Sequence, residues 1–282
     1  AASQAPVAMA VAITFLWLMS PLAVHLVNAR PFHVHREDAN DVEFLRDVSL
    51  RTWSFFRDFS TPDHHWLVPD NVQQQPYAVA RRTSPTNFGL QLTAGLAAFD
   101  LGYLTPPEIA QYGRNLLNTM SAMERRNGHF FNWYDTATLR PLPPLYVSTV
   151  DSGNLAAALI AFRQGCEEMV QGPVIGPSLL RGLRDYCLRL RQALPPSVRS
   201  FGVMRILSSL VRKLEVEHAD LFFWEGVLSE AASTVRRLDQ HIDWACEHLE
   251  ERNPGAVREI RYWKSALDDR VSAALQCLCG LA

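Results

Sequence analysis

The first part of the chain is patterned unlike the rest. Residues 6–27 read PVAMAVAITFLWLMSPLAVHLV, 22 positions without an Asp, Glu, Lys or Arg. A bilayer core takes about 20 helical residues, so this run is expected to cross a membrane as one helix. Pro21 and His25 interrupt it, although membrane helices tolerate Pro better than soluble ones do. The two competing readings are a secretory signal, which wants a basic leading segment that is not present here, and a buried soluble helix. Beyond residue 38 the apolar positions recur at helical spacing. Val42, Leu45, Val48, Trp53 and Phe56 mark a helix over 40–59. Ser84 as a cap with Pro85 at the first helical position opens another over 85–101. Thr105-Pro106-Pro107-Glu108 has the form of a capping box and opens a third, to about Arg126. Asp151-Ser152 opens a fourth, carried by the apolar run from Leu155 to Phe162 and broken at Gly172 to Pro177. Further helical stretches lie near 177–193, 196–213, 216–251 and 254–280, the longest of them long enough for two helices. Among the loops, only Phe130 to Tyr134 reads as a short strand.

The class is therefore all-α, with hairpin following hairpin. Connections alternate in length: 60–84 is long, 102–104 short, 127–150 long, 172–176 short. If consecutive helices run antiparallel, both long loops emerge at one end, where a rigid scaffold commonly carries its function. This is the pattern of a partial α/α-toroid, an incomplete barrel of helical hairpins, preceded by one transmembrane helix. The expected division is 1–30 for the membrane segment and 31–282 for the toroid portion. The chain starts at Ala1 without Met and ends in mid-pattern at Ala282, so it is expected to be a piece of a longer polypeptide. Arg30 and Arg36, with His33 and His35, flank the apolar run on its C-terminal side and favour a cytosolic face for the residues after 30.

Composition narrows the partners. The chain is 48% hydrophobic and 20% charged, with a net charge of −2. No basic cluster interleaves with aromatics, so no nucleic-acid partner is expected. The five cysteines are odd in number and fit no structural zinc spacing, and nor do His64, His65 and His129. Free thiols and no metal are the expectation.

The two long loops hold the chemistry. The first carries His64-His65-Trp66-Leu67-Val68-Pro69-Asp70-Asn71 and leads into Arg81-Arg82-Thr83-Ser84-Pro85-Thr86-Asn87. The second carries Arg126-Asn127-Gly128-His129-Phe130-Phe131-Asn132-Trp133-Tyr134-Asp135 and closes on Tyr146-Val147-Ser148-Thr149-Val150-Asp151-Ser152-Gly153-Asn154. Sugars present apolar C–H faces and many hydroxyls. A sugar site therefore wants flat aromatics for stacking, and Asp, Asn and Arg to bond hydroxyls in fixed geometry. Each residue also has a plainer role open to it. Trp66 and Trp133 could pack against the barrel end, Ser84, Asp151 and Ser152 could cap helices, and Arg81-Arg82 could pair with nearby acids. In the last third, acidic and basic residues alternate over 208–270 as a solvated helix face, and Trp224, Trp244 and Trp263 are expected to pack between helices.

Four stretches together resemble the cyclic β-1,2-glucan synthases: Arg51-Thr52-Trp53-x-Phe55-Phe56, Arg82-Thr83-Ser84-Pro85-Thr86-Asn87, Gly128-His129-Phe130-x-Asn132-Trp133-Tyr134-Asp135 and Val150-Asp151-Ser152-Gly153-Asn154-Leu155. The likeness is good over 40–165 and diffuse over 166–282. It implies a large bacterial inner-membrane enzyme. One part of it builds linear β-1,2-glucan from UDP-glucose. A central glycoamylase-like toroid closes the ring by retaining transglycosylation, and a last part trims chain length. This chain matches the start of the central part. The implied substrate-binding residues are Arg82, Asn87, Asn132, Trp133, Asp135, Asp151 and Asn154. The implied partners are a β-1,2-glucan chain, the rest of the parent polypeptide, and a bilayer around residues 6–27; no cofactor is expected in this segment. Retaining chemistry uses two carboxyls about 5–5.5 Å apart. The family's catalytic glutamates lie later in the toroid, and no matching pair occurs here, because the surroundings of Glu230 do not fit. No catalytic residue is therefore assigned, and this segment alone is expected to be inactive. Two rival functions remain: another α/α-toroid hydrolase using Asp70, Asp135 and Asp151, and a membrane-anchored scaffold whose aromatic loops bind a protein.

Overall fold

A helix of 25 residues, α1 (Gln4–Asn28), takes up the apolar run. The 20 residues Ala8–Val27 have a mean hydropathy of 2.0 and none of them is buried, with Trp17 80% exposed. This length and composition suffice to cross a membrane. A computed structural model describes residues 4–28, 38–199, 201–215 and 221–280. The expected boundary at residue 30 and the flanking Arg30, His33, His35 and Arg36 lie outside the described residues. By compactness the chain divides into two units, Ala1–Phe44 and Leu45–Ala282. Helix α2 (Ala39–Phe59) runs across that division.

In the second unit the helices form as their caps dictate. Ser84 Oγ accepts from Asn87 N, and α3 (Pro85–Asp100) starts on Pro85. Thr105 and Glu108 form the expected capping box of α4 (Pro106–Ala122). Ser148 Oγ accepts from Asp151 N at the start of α5 (Thr149–Gln171). Thr86 near the start of α3 bonds Asp151 near the start of α5, so these two packed helices run parallel with their N-termini side by side. Helix α4 returns between them in sequence. The chain therefore proceeds as successive helical hairpins. Close approach depends on small residues: a Cβ on Gly89 of α3 would stand 3.0 Å from the Ala158 Cβ of α5, and one on Gly113 of α4 would stand 2.7 Å from the ring of Phe162.

The rest is α6 (Pro177–Ala193), α7 (Phe201–Lys213), α8 (Leu221–Leu249) and α9 (Pro254–Cys279). Each packs on the next, and α9 returns to α6. Leu183, Leu190, Leu207, Leu228, Ile260 and Leu267 are among their buried side chains. Ion pairs tie this group to the turn between α3 and α4. Asp185 of α6 accepts from Arg46 of α2 at 2.8 Å and from Tyr103 Oη at 2.9 Å. Arg270 of α9 reaches Tyr103 O and the Glu108 carboxylate.

The all-α class and the succession of hairpins follow the hydrophobic pattern, with three differences. First, α4 ends at Ala122 rather than near Arg126. Met123 turns extended, and β4 (Arg125–Arg126) pairs with β5 (His129–Phe130) around Asn127-Gly128, both at positive φ. Asn-Gly favours that turn because both central positions need a left-handed backbone. Second, the first long loop contains an antiparallel pair, β1 (Asn71–Gln74) with β2 (Tyr77–Ala80). None of its residues is buried, so no face imposes an alternation. Third, Trp244 does not pack between helices: it is 41% exposed and lies against His248 at 4.0 Å between ring centroids, whereas Trp224 and Trp263 are buried. The five cysteines are free thiols, as expected.

Candidate functional site

The two long loops converge. Strand β3 (Arg82–Thr83) of the first pairs with β6 (Tyr134–Asp135) of the second, in the register Arg82 to Asp135 and Thr83 to Tyr134. Thr136 N donates to Arg81 O at 3.2 Å. His64 Nδ1 lies 3.0 Å from Thr136 Oγ1, and His65 Nε2 lies 3.0 Å from Ala137 O. Both segments therefore share the end of the helices at which α3 and α5 begin.

A polar chain runs across this end. Asp70 holds the loop by donating its own N–H to Ala80 O at 3.1 Å and Arg82 O at 2.7 Å. Its carboxylate accepts from Arg82 Nε and Nη2 at 3.3 and 3.2 Å, and from Asn87 Nδ2 at 3.5 Å. The Arg82 guanidinium sits 4.4 Å over the Trp133 ring, a cation–π contact. On the α5 side, Asp151 Oδ1 accepts from Thr86 Oγ1 at 2.6 Å, and Asn154 Nδ2 donates to Thr86 Oγ1 at 3.1 Å.

Asn132 joins the two halves. Its amide orientation follows from its neighbours, since only one choice avoids setting donor against donor. In that orientation Nδ2 donates to Asp151 Oδ2 at 3.0 Å, and Oδ1 accepts from Tyr146 Oη at 2.7 Å and Trp133 Nε1 at 2.6 Å. Asn132 N also donates to Tyr146 O at 2.9 Å.

Six of the seven sequence candidates thus join one network: Arg82, Asn87, Asn132, Trp133, Asp151 and Asn154. Arg82 and Asn154 are exposed, Asn87, Trp133 and Asp151 half-buried, and Asn132 only 6% exposed. Asp135 is different. Its Oδ1 takes three bonds within its own turn, from Ala137 N at 3.0 Å, Thr138 N at 2.8 Å and Thr138 Oγ1 at 2.9 Å. Its backbone stitches the loops while its side chain shapes a turn. Asp70, Thr86 and Tyr146 belong to the network and were not among those seven. Asp70 and Thr86 sit inside the same motifs and could have been chosen. Tyr146 heads the segment that closes the second loop, but its role comes from meeting Asn132 across the loop, which no local spacing shows.

Burial acts to raise the carboxyls of Asp135 and Asp151, but the donors around them outweigh it. Thr138 and Ala137 hold Asp135 below the usual carboxylate range. Ser148, Thr86 and Ser84 do the same for Asp151. A general acid must hold its proton near neutral pH, so both are poised in the opposite sense. Burial, with Arg81 nearby, holds the His64 ring below its ordinary value.

No protein-family model matches the chain. The chain shares 15% identity and a TM-score of 0.33 with the crystal structure of a glucoamylase-like protein from Bacteroides fragilis NCTC 9343, covering 66% of this chain and 37% of that one. So low a score carries no conclusion. A second comparison is with cyclic beta-(1,2)-glucan synthase NdvB of Rhizobium meliloti (strain 1021), 37% identical over 174 residues. That match takes in 61% of this chain and spans about 6% of the length of the relative. Over those residues, as its loop motifs lead one to expect, the chain is similar to part of a cyclic β-1,2-glucan synthase.

Proposed function

We propose that this chain is part of a membrane-bound cyclic β-1,2-glucan synthase and forms part of the groove that holds the glucan for ring closure by retaining transglycosylation. One observation carries the reading. Aromatic, amide and guanidinium groups of two distant loops are tied into a single network at one end of a helical scaffold. A glucose ring offers C–H faces to an aromatic surface and hydroxyls to fixed donors and acceptors. Arg82, Asn87 and Asn154 supply donors at the rim, while Asn132 and Asp151 hold the rim in shape. The internal bonds matter because a groove whose side chains are already fixed loses less entropy on binding.

In this reading the segment binds and orients, and the carboxyl pair that breaks and remakes the glycosidic bond comes from elsewhere in the parent polypeptide. UDP-glucose is used elsewhere too. Helix α1 sets the protein in the bacterial inner membrane, with the groove on the cytosolic side. The lowered carboxyls of Asp135 and Asp151 count against either one as the general acid of a hydrolase. The test is calorimetry on the full chain in detergent micelles, with linear β-1,2-glucan oligosaccharides and cello-oligosaccharides of equal length. The expected result is saturable binding of the β-1,2-linked ligand, weaker binding of the other, and no turnover. No binding of either would overturn the groove, and ring closure or hydrolysis by this chain alone would overturn its non-catalytic role.

A further inference from the structure

Tyr146 is 46% exposed, yet it is held at two points. Its hydroxyl donates to Asn132 Oδ1 and its carbonyl accepts from Asn132 N. Exposed tyrosines on loops ordinarily keep their rotamer freedom and lose it on binding. Tyr146 has already given up much of it. Asn132 is itself nearly buried and is gripped by Asp151, so the ring is fixed through two side chains to the start of α5. Trp133 shares the same acceptor oxygen but is differently placed: it is half-buried, and the Arg82 guanidinium covers one of its faces. Of the two rings bonded to Asn132, that of Tyr146 is therefore the more open. Pro143, Pro144 and the 52% exposed Leu145 lead up to it and extend its apolar character.

We propose that Tyr146 is a stacking platform of the site, with its ring taking the C–H face of a glucose unit while Asn132 fixes its tilt. This deepens the glucan reading and rests on it. The ligand class is a neutral pyranoside with an apolar face. A sugar with an axial hydroxyl on that face would fit poorly.

The experiment titrates linear β-1,2-glucan oligosaccharide into the full chain and into Tyr146→Ala, Tyr146→Leu and Tyr146→Phe, with circular dichroism to confirm the fold. Loss of the ring should weaken binding about tenfold in the Ala and Leu variants, the scale of one aromatic contact. Tyr146→Phe keeps the ring and the backbone bond, and should stay within about threefold of the parent. Parent-like binding by the folded Ala or Leu variant overturns the inference and leaves the groove standing. So does a loss in Tyr146→Phe as large as that in Tyr146→Ala, since the hydroxyl and not the ring would then carry the contact. If the unsubstituted chain binds no glucan, the groove reading fails first and the inference falls with it.

Discussion

Asp151 looks from its sequence like either a helix cap or a sugar ligand, and the structure gives it a third role. It lies in the first turn of α5, where the positive end of the helix favours a carboxylate, and it spends both oxygens on neighbours: Thr86 on one and Asn132 on the other. Asp151→Ala would leave the nearly buried Asn132 amide without its acceptor. An unsatisfied buried donor costs about 1–3 kcal/mol, so the urea midpoint should fall accordingly; an unchanged midpoint would remove Asp151 from the network. His64 makes a pH-dependent prediction. Its pKa is lowered in the fold, so the unfolded chain binds more protons and stability rises with pH. The contribution is intact above the ordinary value of about 6.5 and is lost as pH falls below it toward the lowered one. Arg81, Asp63, Asp135 and His65 are the charged and titratable groups that bear on the ring. The melting temperature should drop between pH 7.5 and 5.5, and His64→Gln should remove part of that drop. An identical drop in the variant would contradict it. Sequence motifs single out Arg82, Asn87, Asn132, Trp133 and Asn154, which share one network, because residue types at fixed spacing are local. They could not separate Asp135 from Asp151, since that difference depends on which donors fold onto each carboxylate.

At the scale of elements, the caps were the most legible feature. Ser84-Pro85 and Thr105-Pro-Pro-Glu108 start helices where they stand because their bonds are made within four residues. The ends were less legible. Where α4 stops depends on the Asn127-Gly128 turn that starts β5, and the β1–β2 pair has no buried face to impose alternation. The turn between α3 and α4 shows what the helical pattern leaves unsaid. Gly102 has φ +85°, and a Cβ there would meet the Ser178 carbonyl oxygen at 1.9 Å. Gly102→Ala should cost about 2 kcal/mol or more, from the strained conformation together with the clash. Equilibrium denaturation measures it, and a neutral result would show that the α3–α4 turn does not sit against the start of α6.

Across the whole molecule, the apolar first helix and the amphipathic remainder are both visible in the hydrophobic pattern. The ion pairs that join the helices are not. Lys264 and Arg270 fall in a stretch that reads as a solvated face, yet they are only 7% and 5% exposed. Lys264 pairs with Asp268 one turn on, but Asp239 and Glu108, partners of Lys264 and Arg270, lie far away in sequence. Helix α1 gives a direct expectation. The full chain should sediment with membranes and resist alkaline carbonate while yielding to detergent, because the 20-residue span Ala8–Val27 is long and apolar enough to cross a bilayer. Release by carbonate alone would contradict a spanning helix. Above all, the two long loops should close on one ligand. Hydrogen–deuterium exchange with and without linear β-1,2-glucan tests it most directly. Segments 70–83 and 130–148 should become protected together, at the same ligand concentration. Protection of only one segment, or of a surface elsewhere with both loops unchanged, would contradict it.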